Sequence, residues 1–362
     1  MYMPMRISMI SYRLPVIGQK RGGVDQIAHD ISDGLARRGH QVTVWSYDRR
    51  PQGAMYEVRE LPWRSFAYSK IGLRLTSGYL GNIINLFPRY EGDLLFCHGD
   101  SLFLPLLRKP LVRLMPGSAL GEALSATNVL RFVRQIGVYP QELLEALLQA
   151  GCVGISQNCR RYNPFLRNVI PLGIDLTKFG SAPERKTANP SILFVGTLGG
   201  RKRGNFLMDL FQRVVRNRFP NATLMMVTEQ GPAMEGVSYF TGISQEGLIE
   251  LYQKAWIYAS PSQYEGFGLP YVEAMACGTP VLATPNPGSR ELLGDSEFGV
   301  LASDADFAES LCKLLSDTDT RAKLTAAGLA RARDYSLDKM LDRYEALMER
   351  LCVRRAPANA TA

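Results

Sequence analysis

Residues 6–11 read as a buried strand, and the chain beyond it turns through Gly22 and Gly23 into a segment whose apolar residues, Val24, Ile27, Ala28, Ile31 and Leu35, trace one helical face. Gly39 and His40 end that helix, and residues 41–46, rich in β-branched and aromatic side chains, follow as a second strand. This is a βαβ unit, and its two strands must be parallel. Further apolar runs at 93–97, 111–115 and 152–156 continue the pattern of a parallel sheet covered by helices. Near Pro171–Asp175 the chain turns, and 180–190 is polar and rich in breakers, as a linker is. The alternation then restarts, with strands expected at 192–195, 223–228, 239–241, 256–259 and 281–283. A last helical stripe runs through Leu337, Met340, Leu341, Tyr344, Leu347, Met348 and Leu351. The expected architecture is therefore α/β: two Rossmann-like domains with mainly parallel sheets facing across a cleft, at 1–180 and 181–335. Residues 336–352 would pack back towards the first domain as a helix, and 353–362 would be a loose tail. Such sheets bind ligands at the carboxyl ends of their strands, which confines the search for a site to the loops that follow strands.

A chain of 362 residues exceeds one ordinary core, in keeping with two domains. Neither a signal-peptide core in residues 1–20 nor an apolar stretch of the ~18 residues that span a bilayer is evident. The six cysteines form no Cys-x-x-Cys pair and the three histidines are scattered, so free thiols in a reducing cytoplasm and no structural metal are expected. The net charge of +8 is uneven: residues 1–180 hold 22 Lys and Arg against 13 Asp and Glu, whereas 181–362 hold 20 against 21. From Leu61 to Tyr90 there is no acidic residue, and Arg64, Lys70, Arg74 and Arg89 are interleaved with Trp63, Phe66, Tyr68 and Tyr79. That pattern suits a peripheral site on an anionic membrane surface, or else a solvated basic face whose aromatics turn inward.

The densest chemistry lies at 260–280, SPSQYEGFGLPYVEAMACGTP. A strand runs into a loop with Gly266 and Gly268, and a helix begins near Leu269 with Pro270 in its first turn. The glycines let backbone approach a ligand closely, and the helix start presents unpaired N–H groups to hydroxyls or phosphate. Glu265 precedes the helix and Glu273 sits one turn inside it, so two carboxylates reach the mouth of the cleft at different depths. Asp304-Ala-Asp306 and Asp317-Thr-Asp319 look like metal-binding Asp-x-Asp motifs, but both precede helical patterns and read as N-caps. Neither a Gly-x-Gly-x-x-Gly after a strand nor a Walker-type loop is present, which argues against dehydrogenase and P-loop functions.

Glu265 and Glu273, in their Gly-Phe-Gly-Leu-Pro and Glu-Ala-Met-Ala-Cys-Gly-Thr-Pro setting, resemble the Glu-x7-Glu signature of retaining glycosyltransferase family 4, of GT-B fold. Gly22-Gly23, residues 35–44, 169–175 and 194–197 are similar to other landmarks of that family. The resemblance implies that Glu273 holds the donor's ribose hydroxyls, and that Glu265 with the backbone of Phe267, Gly268 and Leu269 contacts the sugar. Gly22 and Gly23 would lie over the diphosphate and acceptor side. Arg201, Lys202 and Arg203 occupy the loop where the family carries cations, and as a set they are candidates to neutralise the leaving diphosphate, a direct form of transition-state stabilisation. Thr197 stands where the usual Arg would be. Pro116, before Gly117, replaces a histidine that reaches the sugar in the family; His98, at another strand end, is a candidate substitute or a plain core histidine.

The resemblance thus implies a metal-independent hexosyltransferase without a cofactor. Its partners would be a nucleotide diphosphate sugar and a polysaccharide, glycolipid or lipid-linked acceptor, with no nucleic acid. The alternative is a catalytically silent donor-binding or scaffolding subunit of a glycan assembly complex, which Pro116 keeps open.

Overall fold

A computed structural model describes residues 3–15, 23–68, 79–126 and 128–353. The chain divides into two compact units, one of residues 1–123, 133–172 and 337–362, the other of 124–132 and 173–336. Gly22, Lys70, Arg74 and the tail from 354 lie outside the described residues.

The first unit holds a seven-stranded sheet: β1 (Arg6–Ser11), β2 (Gln41–Ser46), β3 (Glu57–Glu60), β4 (Leu94–His98), β5 (Leu111–Met115), β6 (Cys152–Gly154) and β7 (Asn168–Val169), in the order β3-β2-β1-β4-β5-β6-β7. Every pairing is parallel. All five residues of β4 are buried, as a central strand covered on both faces requires. The expected strands at 93–97 and 152–156 are present with shifted ends.

Helix Gly23–Arg37 buries Ile27, Ala28, Ile31 and Leu35, the face read from the sequence. Helix Leu337–Val353 packs beside it, burying Met340, Leu341, Tyr344, Leu347 and Met348. A Cβ on Gly34 would lie 2.5 Å from Leu341 Cδ1, so with any larger residue there the Leu341 side chain would have to shift. Arg38 then pairs with Asp338, Asp342 and the buried Glu345 at 2.9, 2.7 and 2.6 Å. His40 Nδ1 accepts the Met5 amide at 3.1 Å and its Nε2 meets Glu345 at 2.9 Å. Apolar packing and a half-buried ion cluster together fix the last helix to the first unit.

The second unit holds β8 (Ser191–Val195), β9 (Thr223–Val227), β10 (Val237–Phe240), β11 (Ile257–Ser260), β12 (Val281–Ala283) and β13 (Val300–Leu301), in the order β10-β9-β8-β11-β12-β13 and again parallel throughout. One core runs through Ile192, Phe194, Leu224, Met226, Ile257 and Phe307. No helix among the described residues is long and apolar enough to cross a membrane. All six cysteines are free thiols.

Candidate active site in the second unit

In a doubly wound sheet the ligand crevice opens where strand order reverses, because the connections leaving the two central strands diverge there to opposite faces. In the second sheet that point falls between β8 and β11. The loops leaving these two strands, 196–203 and 261–268, carry most of the residues singled out from the sequence.

The loop after β11 is held from below. The Ser262 carbonyl accepts hydrogen bonds from Thr284 Oγ1 and Asn286 Nδ2 at 2.7 and 2.9 Å. Asn286 also caps helix Pro287–Leu293 through a reciprocal pair with Ser289. At that helix start the Gly288 amide donates to the Glu265 carbonyl at 3.0 Å. A Cβ on Gly288 would fall 2.3 Å from the Phe267 carbonyl oxygen, a backbone atom that cannot swing aside. Gly288→Ala should therefore push the 265–267 loop off its seat and lower stability by about 1–2 kcal/mol, as overpacking does. A urea midpoint unchanged from wild type would show that the loop is not held this way.

Gly268 closes the loop with φ +102, a left-handed conformation that favours glycine, and caps helix Leu269–Ala276. Phe267 is buried edge-on against Tyr335 at 5.7 Å, so it anchors the loop with its ring. Glu273, one turn into the helix, is half-buried and accepts a hydrogen bond from the buried Tyr252 hydroxyl at 2.8 Å.

The loop after β8 meets this one through backbone and charge. Gln263 N donates to the Arg201 carbonyl at 2.9 Å, and Arg201 Nη1 donates to the Tyr264 carbonyl at 2.5 Å and to Glu265 Oε2 at 3.0 Å. Lys202 Nζ lies 2.6 Å from Glu265 Oε1. Burial by itself would raise the Glu265 pKa, yet Lys202 and Arg201 outweigh it and hold the carboxyl below the usual carboxylate range. Two cations thus face one buried anion at the crossover. Arg203 turns elsewhere. It is left-handed at φ 58, its guanidinium makes two bonds to Asp304 at 2.8 and 2.7 Å, and it stacks on the Phe206 ring at 4.1 Å.

Asp304, expected as an N-cap, is therefore the partner of Arg203. Asp306 occupies the N-cap position of helix Phe307–Ser316 but makes no side-chain cap bond, because its carboxylate accepts from Ser303 Oγ instead. Asp317 does cap its helix, accepting from Thr320 N at 2.9 Å.

The other expected site residues belong to the first unit. Gly23 begins its first helix, while Gly22 lies outside the described residues. His98 ends β4 beside β1, the point where that sheet's strand order reverses, with Nδ1 3.4 Å from Ser11 Oγ. Burial, helped by Arg113, pushes its pKa down to about 4, so the ring is neutral. Pro116 is exposed and Gly117 half-buried in the loop after β5. Sequence reasoning passed over Glu142, a buried carboxylate whose Oε2 accepts the Ala119 amide at 2.6 Å and so fixes the far end of the 116–119 loop. It sits in mid-helix with no motif to mark it. The Asn286-Pro287 cap, by contrast, carries a recognisable helix-start signal.

Residues 178–331 match the family model described as Glycosyl transferases group 1. The O-antigen chain mannosyltransferase B of Escherichia coli is 32% identical over 158 residues, 40% of this chain and 42% of that protein. The D-inositol 3-phosphate glycosyltransferase of Corynebacterium urealyticum is 30% identical over 201 residues, 46% and 47% of the two chains. The chain thus spans about half the length of the curated relatives it matches. Among solved structures, sucrose-phosphate synthase from Thermosynechococcus elongatus superposes with a TM-score of 0.77 at 18% identity, covering 96% of this chain and 99% of that one. Anabaena HepE in complex with UDP and glucose gives 0.72 at 17% identity, covering 95% and 99%. The fold class is GT-B, and the match to the glycosyl transferases group 1 model falls within the second unit.

Proposed function

We propose that this chain transfers a hexose-type sugar from a nucleotide diphosphate to a glycan or lipid-linked acceptor, with retention at the anomeric carbon and without a metal ion. The observation that carries the reading is the Arg201–Lys202 pair locked on Glu265 at the strand crossover of the second unit. When the bond to the leaving group stretches, negative charge gathers on the diphosphate, and cations already fixed in place stabilise it without reorganising. Glu265 acts by holding both cations in position. The Glu273 carboxylate, steadied by Tyr252, would accept from the ribose hydroxyls. The UDP complex of Anabaena HepE supports the choice of donor class.

Glu273→Ala should raise the dissociation constant for UDP by about tenfold or more while leaving the fold intact, since two hydroxyl hydrogen bonds to a charged acceptor are lost. Titration calorimetry on the folded variant checks this, and unchanged affinity removes Glu273 from the site. Pro116 is the one observation favouring a silent donor-binding subunit. Binding of nucleotide sugar without hydrolysis or transfer in the native protein, together with activity in Pro116→His, would establish that second reading.

A further inference from the structure

No motif in the sequence marks Tyr252. It lies on helix Gln245–Lys254, fully buried, and its hydroxyl donates to Glu273 Oε2 at 2.8 Å. Burial and the facing carboxylate push that hydroxyl well above the ordinary range of a tyrosine, so it keeps its proton and acts as the donor of the pair. Glu273 itself is half-buried. A glutamate side chain has three rotatable bonds, and a fixed hydroxyl on one of its oxygens selects among their settings.

The hydroxyl is fixed in its turn. The Tyr252 ring meets Tyr258 of β11 edge-on with centroids 5.7 Å apart, and Tyr258 lies 6.2 Å from Tyr271 of helix Leu269–Ala276, all three rings being fully buried. Tyr271 joins this stack to the seat of the Glu265 loop, because Asn286 Nδ2 donates to its hydroxyl at 3.2 Å. The backbone of Tyr252 is tied as well. Its carbonyl accepts from Thr279 Oγ1 at 2.6 Å, and Lys186 Nζ donates to Thr279 Oγ1 at 2.8 Å and to the Ala255 carbonyl at 2.6 Å. A ring packed this closely does not pivot, so the core beneath the loop after β11 also sets the direction of the Glu273 carboxylate. The fold has little need of this hydroxyl, since phenylalanine would fill the same space without burying a polar group. What the hydroxyl adds is one orientation for Glu273.

We propose that Tyr252 is a positioning residue that aims Glu273 at the 2′- and 3′-hydroxyls of a ribose, so that the site takes ribonucleoside diphosphate sugars and discriminates against 2′-deoxy ones. The inference rests on the transferase reading and adds to it a choice of substrate. A carboxylate held in one direction can accept from two neighbouring hydroxyls at once, whereas a 2′-deoxyribose offers it only one and leaves an acceptor unanswered. A site built to bond a hydroxyl rejects the analogue lacking it far better than an apolar pocket discriminates by size. Rejection requires a carboxylate that stays put. One free to turn would follow the remaining hydroxyl or face solvent, and most of the difference between the two sugars would be lost.

The test is calorimetric titration of UDP, GDP and their 2′-deoxy counterparts into the purified full chain, Tyr252→Phe, Glu273→Ala and the double variant. Wild type should bind the ribonucleotide about tenfold more tightly than its deoxy form, the difference one hydrogen bond to a charged acceptor makes. Tyr252→Phe keeps the ring and its packing. It should weaken the ribonucleotide and leave the deoxy form within about twofold, so that the ratio falls to roughly threefold or less. With Glu273→Ala the ratio should be near one, and adding Tyr252→Phe should change it no further, because Tyr252 acts through the carboxylate alone. The proposal is overturned if Tyr252→Phe leaves the ratio intact while Glu273→Ala abolishes it, or if Tyr252→Phe weakens both forms equally, as a merely structural role would. The donor reading survives either result. Absence of UDP and GDP binding in wild type, or a ratio unchanged in Glu273→Ala, overturns that reading and the proposal together.

Discussion

If the chain is the transferase proposed, replacing Arg201 and Lys202 together by glutamine should lower sugar transfer by about 100-fold or more, the usual consequence of removing charge partners of a transition state. The same change leaves the Glu265 carboxyl buried, 6% exposed and without its cations, which should cost on the order of 3 kcal/mol of stability. The two effects can be separated. Adding Glu265→Gln removes the stranded charge, so the triple variant should regain most of the urea midpoint and none of the activity. Arg203→Ala breaks the pair with Asp304 and the stacking on Phe206, neither of which touches Glu265, and should leave activity within a few-fold. If transfer returns along with stability in the triple variant, the two cations serve the fold and not the reaction.

The second large effect is a pH dependence of stability centred on Glu142. Burial raises this carboxyl to about 7, against the ordinary 4.5, although the Ala119 amide, Arg113 and Ser118 favour its charged form; Glu145 adds to the rise. Between those two values the folded chain binds more protons here than the unfolded chain, so stability falls as pH rises through that window. A shift of this size corresponds to roughly 3 kcal/mol, an order-of-magnitude figure. Glu142→Gln keeps an oxygen for the Ala119 amide and abolishes the titration. The stability difference between wild type and Glu142→Gln, measured by urea unfolding from pH 4.5 to pH 7.5, should therefore drift by about that amount in favour of the variant. His98 runs the other way, since a ring held near 4 makes stability rise with pH up to its ordinary 6.5, but it is common to both proteins and cancels in the difference. A flat difference would mean that Glu142 is charged throughout.

What the sequence disclosed followed the strength of local signals. Central strands such as β1, β2 and β5 announce themselves as apolar runs between helical stripes, whereas β3 reads Glu-Val-Arg-Glu and β7 and β13 are two residues each, too short and too polar for any period to register. Glu265 and Glu273 were legible because a glycine loop and a helix start fix their spacing locally. Separating Arg201 and Lys202 from Arg203 was beyond local reasoning. It depends on a left-handed residue and on Asp304, a hundred residues further on, which takes the third cation away. Helix Val129–Leu148 shows the same limit from the other side: periodicity reveals apolar positions but not whether the fold buries them, and here Glu142 and Glu145 are buried while Val129 and Leu130 are exposed.

The most direct test of the donor site is calorimetric titration of UDP, GDP and dTDP into the purified chain in buffer containing EDTA, repeated on the Arg201→Gln, Lys202→Gln, Glu265→Gln variant and on Arg203→Ala. The expected result is saturable binding of at least one nucleotide diphosphate by wild type and Arg203→Ala alike, weakened by roughly tenfold or more in the triple variant. Binding of equal strength in all three proteins, or binding that disappears with EDTA, would contradict a diphosphate site built on Arg201 and Lys202.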